Sequence, residues 1–165
     1  DQVGMLGTVM NGLYLQDALD KEDVPVRVMS GLNVPQVCEP YMYRKALKHL
    51  ARGRVIIFAG GTGNPYFTTD TAAALRASEM SCDALLKATQ VDGVYSADPK
   101  TNPDAKRFDN ITYDRVIKEH LNVMDTAAFA LLNESKIPTV VFKLHHEDAL
   151  KNAVCGEGKL TLIHH

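Results

Sequence analysis

The sequence predicts an α/β protein with a mainly parallel sheet. Three observations carry this. Strand-like and helix-like stretches alternate along all 165 residues. Arg54-Val55-Ile56-Ile57-Phe58-Ala59 is β-branched and apolar on both faces, the pattern of a buried parallel strand. Near the start, Val3, Leu6, Met10 and Leu13 recur at helical spacing, with Met5 and Val9 beside them.

The first element is therefore a helix over about 4–19. Residues 25–30 alternate apolar and polar positions and read as a short strand. A loop with Gly31, Asn33 and Pro35 follows. Pro40 suits the first position of a helix over 41–51, which Gly53 ends. Residues 54–59 are the second strand, broken by Gly60-Gly61-Thr62-Gly63-Asn64-Pro65. A helix starts near Thr69 or Asp70 and runs to about Met80. Residues 83–88 form a third strand, followed by a polar, turn-rich stretch through Asp92-Gly93 and Asp98-Pro99 to Pro103. Helices over 113–119 and 126–135, a strand over 138–142, a helix over 147–154 and a strand over 160–163 complete the chain.

Composition narrows the function. The length suits one domain with a real core. Eighteen Lys+Arg against 20 Asp+Glu give a net charge of −2. No basic field is present to hold nucleic acid. The longest apolar runs are far too short to span a membrane. Cys38, Cys82 and Cys155 are sparse, odd in number and far apart, which fits a reducing, cytoplasmic setting. The chain opens at Asp1 on a helical pattern with no signal-peptide character, as a cut through a longer chain would.

In parallel sheets ligands bind beyond the carboxyl ends of strands, so the stretches after Ala59 and Ala88 carry the chemistry. In the first, three glycines permit positive φ and close approach of a ligand. Thr68 and Thr69 stand at a coming helix N-terminus, where N–H groups and hydroxyls suit a phosphate. Thr62 and Asn64 offer donors and acceptors to a base edge, and Tyr66 and Phe67 offer rings. A plain glycine-rich turn capped by Thr69 or Asp70 explains the same residues equally well. Neither GxGxxG nor GxxxxGK[ST] is present. In the second stretch, residues 87–99, Tyr95 offers a ring to a purine, Asp98 a carboxylate to ribose hydroxyls, and Lys87 a charge to phosphate. A surface loop turning at Asp92-Gly93 is the simpler reading of that stretch taken alone.

Four blocks together resemble the bacterial uridylate kinases (UMP kinases), members of the amino-acid kinase fold. They are residues 1–11 (Asp1-Gln2-Val3-Gly4-Met5-Leu6-Gly7-Thr8-Val9-Met10-Asn11), 62–70 (Thr62-Gly63-Asn64-Pro65-Tyr66-Phe67-Thr68-Thr69-Asp70), 87–99 (Lys87 to Pro99) and Asn122-Val123-Met124-Asp125. They occur in the family's order, and the 62–69 block is its strong marker. The resemblance implies a three-layer α/β/α sandwich, a single domain over 1–165 that is incomplete at its N-terminus. Residues 1–83 would form mainly the UMP side and 84–165 mainly the ATP side.

It further implies transfer of the γ-phosphoryl of ATP to UMP, giving UDP and ADP for pyrimidine biosynthesis. UMP would be held by Asp1 (ribose), Thr62, Gly63, Asn64, Pro65, Tyr66, Phe67, Thr68 and Thr69. ATP would be held by Thr89, Gln90, Tyr95 and Asp98, with Mg²⁺ carried mainly on phosphate oxygens. Asp70 resembles the fold's aspartate that orients catalytic lysines, and Asp125, before a helix, would either order water around the metal or serve as a plain helix cap. No metal site built from protein ligands is expected, and His145-His146 read as solvated. GTP and UTP as effectors, a homohexamer, and no nucleic-acid or membrane partner complete the expectation. The family's Lys-Leu-Ser-Gly loop, Gly-Gly-Gly-Asn turn and nucleotide-side Arg are not among these residues, so the chain alone is expected to be inactive. Two other readings are a phosphotransferase of this fold acting on a small acid, and a nucleotide-binding regulator. Tyr66-Phe67 argue against the former, since a small acid needs no ring pocket.

Overall fold

The structure is a computed structural model that describes residues 1–121, 123–144 and 147–165. The chain divides into two compact units, Asp1–Met80 and Ser81–His165. The expectation for His145-His146 lies outside the described residues.

The first unit runs α1 (Gln2–Lys21), β1 (Val26–Ser30), β2 (Glu39–Pro40), α2 (Tyr43–Leu50), β3 (Val55–Ala59) and α3 (Thr69–Glu79). Its three strands lie in the order β2-β1-β3 and all pair in parallel, Val26 opposite Val55 through Ser30 opposite Ala59. Period-2 alternation sends side chains to both faces. Val28 and Ala59 pack with Val9 and, at the margin, Leu13 and Ile57, while Met29 packs with Ala46, Met80, Ile56 and Phe58. Helices cover both faces, which is why β3 has no polar alternation. Gly12 lets α1 lie close to the sheet, since a Cβ there would already touch Val28, Ile57 and Ala59 at 3.4 Å. Along α1 only Val9 and Gly12 are fully buried.

Two expectations in this unit are corrected. Pro40 does not open a helix. It pairs with Ser30 in the two-residue edge strand β2, where a missing N–H costs no ladder bond, and α2 starts later at Tyr43. Strand β3 is parallel as expected but not wholly buried. It ends the order of its sheet, and Val55 is 43% exposed.

The second unit runs β4 (Leu85–Thr89), β5 (Val94–Tyr95), β6 (Arg107–Phe108), β7 (Asn110–Thr112), α4 (Tyr113–Lys118), α5 (Thr126–Ser135), β8 (Thr139–Lys143), α6 (Ala149–Cys155) and β9 (Leu160–His164). Its main sheet has the order β4-β8-β9-β7, with β4/β8 and β7/β9 parallel and β8/β9 antiparallel. The turn-rich stretch holds a two-stranded antiparallel ribbon, β5/β6. Tyr113 is fully buried and its hydroxyl donates to the Ile137 carbonyl at 2.7 Å, with Thr139 Oγ1 at 2.8 Å. Burial pushes the Tyr113 phenol up from its ordinary range. No helix among the described residues is long and apolar enough to cross a membrane.

Candidate active site

The first candidate stretch follows β3. Gly60, Gly61 and Gly63 all take positive φ (71°, 59° and 80°), so the chain turns sharply where β1 and β3 both end. The two post-strand loops interlock there. Gly31 N–H donates to the Ala59 carbonyl at 2.9 Å, and a Cβ on Gly31 would lie 2.8 Å from the Gly61 oxygen. A Cβ on Gly63 would press into the Gly31 carbonyl. Thr8 ties α1 to this turn: its Oγ1 accepts from Gly60 N at 2.8 Å and donates to the Met5 carbonyl at 2.7 Å.

Beyond the turn the loop is open. Asn64 N donates to Thr62 Oγ1 at 3.2 Å, so the two candidate base readers shape one another. Tyr66 takes φ 70°, an uncommon conformation for a bulky side chain, and is 95% exposed. Its N–H donates to Asp1 Oδ2 at 2.7 Å, so the first residue of the chain holds the strained one. Phe67 beside it is 56% exposed. Tyr66 thus combines a strained backbone with a ring left in solvent.

Thr68, not Thr69 or Asp70, is the N-cap of α3, with its Oγ1 accepting from Thr71 N at 3.1 Å. Asp70 is thus a first-turn acid rather than the cap. The far end of α3 is pinned. Arg76, 8% exposed, lies with its guanidinium 3.5 Å from the Tyr41 ring centre and donates to Glu79 at 2.6 Å. Burial, and the hydrogen bond to Glu79, push the Tyr41 phenol up to about 12.

The second stretch lines a cleft of about 410 Å³ wholly inside the second unit. Thr89, Tyr95 and Asp98 line it, while Gln90 is exposed and outside that lining. Thr89 Oγ1 accepts from Val91 N at 2.8 Å, and Asp98 Oδ1 accepts from Lys100 N at 2.9 Å. The Tyr95 hydroxyl donates to Asp92 Oδ1 at 2.7 Å, which raises the Tyr95 phenol. Burial pushes the Asp92 carboxyl up, but that same hydrogen bond, a backbone bond and nearby Arg107 and Lys159 together bring it below its ordinary value. Asp125, before α5, is an N-cap, its Oδ1 accepting from Ala128 N at 3.0 Å. Among the described residues no three His, Cys, Asp or Glu side chains gather as a metal cage.

Residues 1–143 match the amino acid kinase family. The chain belongs to the amino acid kinase family.

Relatives in this family match along almost the whole chain. A uridylate kinase of Paramagnetospirillum magneticum is 58% identical over 163 residues, covering 99% of this chain and 68% of the relative. One from Azorhizobium caulinodans is 54% identical over the same shares. The crystal structure of UMP kinase from Ureaplasma parvum superposes with a TM-score of 0.94 at 35% identity, over 98% of this chain and 69% of that one. The UMP kinase structure from Bacillus anthracis gives 0.94 at 38% identity, over 99% and 68%. The amino acid kinase fold expected from the sequence is thereby shown.

Sequence reasoning missed Thr8, Ser30 and Gly31 as parts of this family member's loop, and Glu119, His120 and Leu121 as walls of the second cleft. The interlock itself is testable. Gly63→Ala should lower unfolding stability by about 2 kcal/mol or more, from left-handed backbone strain plus overpacking. Gly61→Ala, at φ 59° with nothing within 4 Å, should lose only the backbone part. Equal losses in denaturant melts of the two variants would show that the Gly31 contact relaxes freely.

Proposed function

We propose that this chain carries the UMP and ATP sites of a uridylate kinase, and that the active protein transfers the γ-phosphoryl of ATP to UMP, giving UDP and ADP. What supports this most is the 62–69 loop. Its uridylate-kinase-like sequence runs from an interlocked glycine turn to the N-terminus of α3 and leaves both aromatic rings open. In this reading the two units are halves of one domain, the first taking UMP and the second ATP.

UMP's phosphate meets Thr68 and Thr69 at the helix N-terminus, where dipole and N–H groups favour an anion. Thr62, Gly63 and Asn64 meet the uracil edge. Pro65, Tyr66 and Phe67 shape the ring pocket, and Asp1 reaches ribose through Oδ1 while Oδ2 holds Tyr66. Thr89, Tyr95 and Asp98, which line the cleft, surround the adenosine of ATP, with Gln90, outside that lining, next to Thr89 in the chain. Mg²⁺ arrives with ATP as part of that substrate, its ligands mainly phosphate oxygens. Asp70 orients the catalytic cations, and Asp125 orders water near the phosphates in addition to capping α5. Phosphoryl transfer asks the protein for alignment and charge placement rather than covalent chemistry.

The finer expectations belong to the same proposal. They are a cytoplasmic enzyme of pyrimidine biosynthesis, GTP and UTP as effectors, and a homohexamer. The exposed row Val3, Met10 and Tyr14 on α1, 84%, 58% and 72% exposed, suits a subunit contact.

Base selectivity tests the reading. Thr62→Val with Asn64→Leu should weaken UMP binding by about fivefold to about 150-fold, since two hydrogen bonds worth roughly 0.5–1.5 kcal/mol each are lost. ATP binding should stay nearly intact. Calorimetric titration of each nucleotide checks this. Unchanged UMP affinity, or an equal fall for ATP, would remove base reading from this loop.

A further inference from the structure

We infer that His120 reads the base edge of the donor nucleotide. The inference rests on the second-unit cleft being the ATP site proposed above.

The cleft has two walls, the loop from Thr89 to Pro99 and the chain leaving α4 at Glu119, His120 and Leu121. The polar groups of the first wall are largely committed within the protein. The Thr89 hydroxyl both accepts from Val91 N and donates to the Val91 carbonyl. Val94 N donates to Thr161 Oγ1, the Tyr95 hydroxyl to Asp92, and Ser96 Oγ accepts from Lys106 N. This wall offers a ring face and the Asp98 carboxylate, which suit stacking and ribose hydroxyls. An adenine edge needs both a donor and an acceptor.

The second wall supplies one of them. Glu119 is held by Arg115 Nε at 2.7 Å, and the Arg115 guanidinium lies 4.7 Å from the Phe108 ring centre, so the end of α4 is anchored. His120 then takes φ 50°, with its N–H on the Ile117 carbonyl and Leu121 N on the Val116 carbonyl. Glycine closes a helix in this left-handed conformation without penalty, whereas a side chain there is strained. The imidazole that occupies this costly position is exposed on the cleft and has no hydrogen-bond partner among the described residues. A neutral imidazole can turn either its donor or its acceptor nitrogen to a base edge, one hydrogen bond at a time.

The test is calorimetric titration of ATP and of UMP into the wild-type protein and into His120→Ala, His120→Asn and His120→Gly. His120→Ala and His120→Gly should weaken ATP binding about fivefold, the loss of a base hydrogen bond, with UMP binding unchanged. His120→Asn, which keeps a donor and an acceptor, should stay within about twofold of wild type. His120→Gly should also melt higher than wild type, because it relieves the backbone strain. A merely structural role would instead lower both melting temperature and UMP affinity. ATP affinity within twofold of wild type in both the Ala and Gly variants overturns the inference and leaves the kinase reading standing. Failure of the wild-type protein to bind ATP overturns both.

Discussion

Residues 1–165 on their own should bind UMP and ATP yet form UDP at least about a thousandfold more slowly than the Paramagnetospirillum magneticum uridylate kinase, because charge stabilisation of the transferring phosphoryl is most of what such enzymes supply. The stretches proposed to hold the two phosphate chains are poor in cations. Residues 60–75 contain no Lys or Arg, and the second stretch, residues 87–99, holds one, Lys87. Arg76 follows directly but is buried, stacked on Tyr41 and paired with Glu79. The resemblance to uridylate kinases places the needed cation on a Lys-Leu-Ser-Gly loop that these residues do not include. Helix N-termini hold a phosphate in the ground state, but they do not replace a mobile lysine on a developing charge. The measurement is a coupled UDP assay on a mass-verified 165-residue species, run beside the Paramagnetospirillum enzyme. A rate within tenfold of that enzyme would mean that the cations needed are already present in this chain.

What could be read from the sequence follows from how local each feature is. Strands β1, β3, β4 and β8 were legible within about two residues because each is an apolar run bounded by Gly, Pro or polar turns. Strands β2, β5, β6 and β7 were not. Each is two or three residues long, too short for a period, and exists only because a partner lies alongside. Pro40 shows the difference: its fixed φ suits a helix start and an edge strand equally, and the neighbour Ser30 decides. The candidate site divides the same way. Glycines at 60, 61 and 63 announce a positive-φ turn, and Thr68 and Thr69 announce a helix start. The interlock with Gly31, the Thr8 bond to Gly60 and the Asp1 bond to Tyr66 join residues tens of positions apart. No local pattern encodes them. His120 was invisible for a related reason, since only the fold shows that the end of α4 borders the loop after β4.

Asp70→Asn should lower kcat at least about a hundredfold in an active form of the protein, within the range for a positioned acid–base or charge-orienting group. A carboxylate one residue into the first turn of α3 has two opposed consequences. It complements the helix dipole, worth about 0.3–1 kcal/mol. It also sits beside Thr68 and Thr69, where UMP's phosphate is proposed to bind, and repels that anion. Helix stability accounts only for that small dipole contribution, because the cap itself is Thr68 through Thr71 N. An acid that orients cations around the transferring phosphoryl explains the placement. Asn preserves size and hydrogen-bonding capacity while removing the charge, so the variant isolates the electrostatic role. UMP affinity should hold or rise as repulsion is lifted, the melting temperature should fall only by the small dipole contribution, and kcat should collapse. Steady-state UDP kinetics, a UMP titration and a thermal melt on the same preparation distinguish the alternatives. Unchanged kcat with a lowered melting temperature would leave Asp70 as a helix-stabilising acid and remove it from catalysis.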